Sequence, residues 1–237
     1  MGPGQGPQCG RLRLRYDYPS HQNRRWRPCL QCYNFGKLYH RKHTCGECVV
    51  QLRNLSLHGN GATNGIFSPT TSIGALDIDN VQVTGFGGNC ITLDAGSDVV
   101  IKDSTVENCS GSGILVGTTT GKIINTHVRF ANTGLSINGG NFSAFNSTFS
   151  SPGNPSPGTV GISVVNSNVF LDNCQIIGFY SGIYNFSSNT QVNRSSFFNN
   201  TTALANVFDD GAIFSNGNNS FFDNAVNGSF TATVALQ

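Results

Sequence analysis

The chain has 237 residues, of which 38% are hydrophobic and 11% charged, with a formal net charge of +2. That hydrophobic share at so low a net charge excludes an intrinsically disordered chain. No apolar run is long enough for a secretory leader or a membrane-spanning helix.

Residues 1–48 differ in composition from the rest of the chain. They hold nine of the fourteen basic residues against two acidic ones, five of the eight cysteines, and the only tryptophan, Trp26. A basic arm on an otherwise acidic chain points to nucleic acid or an anionic membrane surface as a partner. Residues 1–28, rich in Gly, Pro and Arg, read as disordered. Then come Cys29-x2-Cys32 and Cys45-x2-Cys48 with twelve residues between the pairs. Two such pairs can bring four thiolates tetrahedrally onto one Zn²⁺, with His40 and His43 as alternative ligands. Against this, Tyr33 stands where such knuckles usually carry Gly, and Cys48 runs straight into a strand at Val49. The competing reading is a segment foreign to the rest of the chain, as a shifted reading frame or a misassigned start leaves. On that reading no cofactor and no nucleic-acid partner is expected.

From residue 49 onward the chain repeats. A branched aliphatic residue follows a small or short polar one at Ile66, Ile91, Ile114, Leu135, Ile162, Ile183, Leu204 and Val226, at intervals of roughly 21 to 27 residues. Ahead of each anchor lies a segment of the form apolar-x-Asn/Asp-x-x-apolar, with its polar residue at Asn54, Asn80, Asp103, Asn125, Asn146 and Asn173. Arg194 takes that place in the seventh repeat, and the eighth is irregular around Asn216 and Asn218. Asn tolerates the left-handed backbone region and marks a bend. The intervening segments are short, rich in Val, Ile, Phe and Thr, and alternate in polarity, as strands do. Such a unit cannot bury its apolar face alone and must stack on its neighbours. The expected fold is all-β: a right-handed parallel β-helix solenoid of about eight coils over residues 49–237, preceded by an irregular, basic, Cys-containing segment at 1–48. Phe145, Phe149, Phe170, Phe197 and Phe221 are expected to stack inside the coil, and Cys90, Cys109 and Cys174 to be buried thiols, not disulfide partners.

The segments VVQLRNLSLHGNGATNGI, GNNSFF and NGSFTATVALQ resemble those of the short right-handed parallel β-helix repeat proteins of bacteria, within the pectate-lyase-like superfold. The resemblance covers about residues 49–237. It implies export and assigns no reaction.

Enzymes on this superfold need clustered carboxylates, either to hold Ca²⁺ or to act as acid and base across a glycosidic bond. Asp209 and Asp210 are adjacent, with no matching acid one coil away. Register places Arg53, Asp79 and Lys102 in one column, and Glu107 and Arg129 in another. Asp79, Lys102, Glu107 and Arg129 are therefore the candidate carbohydrate-binding residues. Alternating signs up a stack also form cross-coil ion pairs. His127 is exposed by register, and His58 sits in a Gly-Asn turn. The expected function is a non-catalytic structural or carbohydrate-interaction module at the cell surface or outside the cell. A polysaccharide lyase or hydrolase is the first alternative, and a zinc-binding, nucleic-acid-associated protein led by residues 1–48 the second.

Overall fold

The computed structural model describes residues 49–68, 74–151, 155–207 and 210–234. The zinc-site candidates Cys29, Cys32, Cys45 and Cys48 lie outside the described residues, as do His40, His43 and Asp209.

The chain folds as a parallel β-solenoid, and its bends follow from backbone chemistry. Asn54, Asn80, Asp103, Asn125, Asn146, Asn173, Arg194 and Asn218 all have φ between 46° and 56°. Asn and Asp enter this left-handed region at small cost, whereas Arg has no such preference. The bend amides form ladder rungs: Asn80 Nδ2 donates to Asn54 Oδ1 at 2.7 Å, Asn125 to Asp103 at 2.6 Å and Asn173 to Asn146 at 2.8 Å. Immediately after the bend a buried hydroxyl closes the corner from inside. Ser104 Oγ donates to the Lys102 carbonyl at 2.7 Å and accepts the Val81 N–H from the coil before. Ser147 and Ser195 repeat both halves of the pattern, and Thr126 Oγ1 donates likewise to the Ile124 carbonyl. Each hydroxyl satisfies backbone groups that the bend would otherwise leave buried and unpaired.

Three strand-lined faces surround the core. The first precedes the asparagine bend (residues 49–53 and their successors), the second follows it, and the third carries the aliphatic anchors. All strand pairs are parallel and the strands join into one 16-stranded sheet, because several run through the bends. Thr105–Ile124 crosses all three faces in 20 residues.

The anchor column is in register from Ile66 through Ile91, Ile114, Leu135, Ile162 and Ile183 to Leu204, and all seven are buried. Val226 departs from the expected column: it bridges Thr202 and is 55% exposed. Among the described residues there are thus seven regular turns and an irregular one after them. Phe149 and Phe197 are buried as expected, and Phe221 is half-buried, stacked on Phe197 at 5.1 Å. Phe145 and Phe170 are not in the core. They lie on the outer surface of the first face, edge to face at 5.9 Å. Their positions, one and three residues before the bend, put them at odd offsets, and in a strand odd and even offsets point to opposite sides.

The cysteine expectation is also corrected. Cys90 and Cys109 form a disulfide with a Cα–Cα distance of 5.6 Å, and both residues are buried. Cys174 is a buried thiol as expected, and burial pushes its pKa up to about 11.

Phe130 is the misfit of a further bend column, near the end of the second face. Gly85, Asn108 and Phe130 align there, all with positive φ, and Phe130 is held at 57°. A bulky residue in this region is an outlier with a steric cost. The ring is 42% exposed, so its packing offsets little of that cost. Phe130→Asn is expected to raise stability by about 1 kcal/mol, measured as a higher urea midpoint at unchanged slope. A lower midpoint would show that ring contacts outweigh the strain.

Candidate functional site

The sequence-derived charges fall into two clusters on different faces. On the outer surface of the first face, Arg53 Nη2 lies 2.7 Å from Asp77 Oδ2 and Lys102 Nζ 3.3 Å from Asp79 Oδ2, with Arg53 Nε 3.7 Å from Asp79. On the second face, Glu107 accepts from Arg129 Nε at 2.9 Å and from Gln82 Nε2 at 3.2 Å. Asp79 and Lys102 are brought together, as are Glu107 and Arg129, each as an ion pair across neighbouring coils. Pairs this open to solvent contribute about 0.2–1 kcal/mol each. A third pair, Arg194 with Asp172, is bidentate at 2.9 and 2.5 Å, and Asn193 Nδ2 also donates to that carboxylate at 2.9 Å. Its signal is present in the sequence, because Asp172 occupies the same column as Asp79 and Lys102.

Further along the first face the outward residues change character. Asn141, Asn168 and Asn189 align in consecutive coils, each five residues before a bend. Asn168 Nδ2 donates to Asn141 Oδ1 at 3.0 Å, and Asn189 Nδ2 to Asn168 Oδ1 at 3.3 Å. Beside this amide ladder runs the column Ser143, Phe170, Gln191, Phe214. Gln191 Nε2 is tied to Asn216 Oδ1 at 2.7 Å. Together these residues line a groove of about 430 Å³, whose floor includes Gly121, Phe142 and Val169. Gly121 is needed there: a Cβ on it would come within 2.4 Å of the Val99 carbonyl and 2.8 Å of the Phe142 ring. The lining consists of amides, hydroxyls, rings and backbone, with no ionisable side chain. A surface of this kind can hydrogen-bond and stack.

The remaining candidates stay apart. His127 is exposed between Thr105 and Thr148 in its column, and His58 Nε2 is 3.0 Å from Ser56 Oγ. Asp210 accepts from Ser187 Oγ at 3.0 Å. Among the described residues no three His, Cys, Asp or Glu side chains converge on a point that could hold a metal. No helix among the described residues is long and apolar enough to cross a membrane.

A stack of parallel strands round three faces, turned at asparagine ladders, defines a β-helix. The chain belongs to the family described as the right-handed β-helix region, whose model matches residues 64–236. No curated protein and no solved structure matches it.

Proposed function

We propose that this chain is a non-catalytic β-helix that binds a polysaccharide or other cell-surface component outside the cell, through the groove on its first face. The observation that carries this reading is the lining: an amide ladder beside half-buried rings, on a straight stack of strands, with no ionisable group. Binding sites for small polar ligands combine apolar or aromatic surface with a few fixed polar groups in this way. The cross-coil ion pairs support the same reading, since Asp79, Glu107 and Asp172 each already face a cation. The buried Cys90–Cys109 disulfide supports an oxidising compartment, where such bonds form and persist. Residues 51–237 carry five basic against ten acidic residues, which opposes a phosphate backbone as their partner.

The test is a paired assay on the full chain. Retention on insoluble polysaccharides is expected, together with no new reducing ends and no unsaturated products from pectin, polygalacturonate or alginate, with or without added Ca²⁺. Turnover that disappears in Asp79→Asn or Lys102→Ala, with the fold intact, would identify a polysaccharide lyase or hydrolase instead.

A further inference from the structure

We infer that the groove takes an uncharged, extended, β-linked polysaccharide laid along the solenoid axis; this rests on the binding role proposed above and narrows it to one ligand class. Charge on the first face flanks the groove and does not line it, with the Asp172–Arg194 pair standing at its bend end. Arg53, Asp77, Asp79 and Lys102 occupy the early coils of the face, and Lys122 lies one coil before Ser143 in the same column. Between these flanking charges the groove lining itself is neutral. A polyuronate seated there would surrender the hydration of its carboxylates without meeting a cation in the lining, which is unfavourable.

The amide ladder suits hydroxyl groups. An Asn side chain has two N–H donors and a carbonyl that accepts twice. Each rung between Asn141, Asn168 and Asn189 uses one donor and one acceptor site. Both kinds of group therefore remain along the ladder, repeated at the coil spacing of about 4.8 Å. A sugar hydroxyl donates and accepts and can use both. A carboxylate only accepts and can use half of them.

The rings set shape. Phe170 and Phe214 share one outward column with Gln191 between them, so they stand two coils apart, about 9.6 Å. In an extended β-linked hexose chain alternate residues present the same face, and that repeat is close to two coils. An α-1,4-glucan coils away from a straight column. Both rings are half-buried, and Phe170 is braced edge to face by Phe145 at 5.9 Å. The platform is thus set before the ligand arrives, which lowers the ordering cost of binding.

Titration calorimetry of the full chain with cellohexaose, mannohexaose and hexagalacturonate tests this. A neutral hexasaccharide is expected to bind at least about tenfold more tightly than hexagalacturonate. Phe170→Ala and Phe214→Ala are each expected to weaken it about tenfold, as loss of an aromatic anchor does. Phe222→Ala, which removes a 69% exposed ring from the second face, is expected to leave binding unchanged. Circular dichroism confirms that each variant keeps its strands. Preference for hexagalacturonate, lost in Phe170→Ala, overturns the neutral class and leaves the carbohydrate-binding role standing. Binding that ignores both ring variants overturns the groove as the site. Binding of none of the three sugars removes this inference; only loss of retention on insoluble polysaccharides as well removes the proposed function with it.

Discussion

Ile114→Ala is expected to destabilise the solenoid by about 2–5 kcal/mol, the range for a large core side chain cut to alanine. Ile114 is fully buried and sits in the anchor column between Ile91 and Leu135. A solenoid coil gains stability from its neighbours on both sides, so a cavity here loosens two interfaces at once. The backbone at this point is tied into both adjacent coils by parallel pairing, which limits collapse of the cavity and places the expected cost in the upper part of the range. Leu115 is the internal control. It follows Ile114 in the same strand but points outward and is only half-buried. Leu115→Ala is expected to cost under about 1 kcal/mol, as surface changes away from special features do. Urea denaturation of both variants decides the matter. Equal losses would mean that the inward and outward sides of this strand have been exchanged.

The register is legible in the sequence because two independent signals agree. The aliphatic anchor recurs on one side, and the bend residue recurs where only a few side chains tolerate positive φ. Even Arg194, a poor residue for the left-handed region, is placed at the bend by spacing alone, and it adopts φ 46° there. The ion pairs Asp79–Lys102 and Glu107–Arg129 follow from the same register. Residue type misleads where it is weighed above position. Phenylalanine suggests the core for Phe145 and Phe170, although counting back from Asn146 and Asn173 puts both outside. That same count finds the groove, since Asn141, Asn168 and Asn189 all stand five residues before a bend. Val226 departs from the column in another way: it pairs with Thr202, not Leu204, through an isolated bridge.

Removing the disulfide is expected to cost about 3 kcal/mol, from the chain-entropy cost of leaving a loop of this size open in the unfolded state. Cys90 and Cys109 are 19 residues apart in sequence. They escape a column-based reading because they occupy different repeat positions. Cys109 aligns with Phe86 and Ala131 at the end of the second face, whereas Cys90 directly precedes the anchor Ile91 on the third. Column logic pairs a residue only with its counterpart one coil away. A corner also brings together residues offset by part of a coil, and the bond forms across such a corner. The test is urea unfolding of the Cys90→Ala/Cys109→Ala double variant beside the parent, with and without reductant. The parent should lose its advantage only when reductant is present during unfolding, because both cysteines are buried in the folded state. Cys174 should resist alkylation until the chain unfolds, its raised pKa keeping it a neutral thiol at physiological pH. Nearest-neighbour coupling makes the effect local, so hydrogen exchange in the double variant should speed up in residues 75–116 and remain slow in residues 160–198. An unchanged midpoint in the double variant would mean that the bond adds nothing to the coils it joins. Free Cys90 and Cys109 thiols in protein purified without reductant would mean that it does not form, and the argument for an oxidising compartment would go with it.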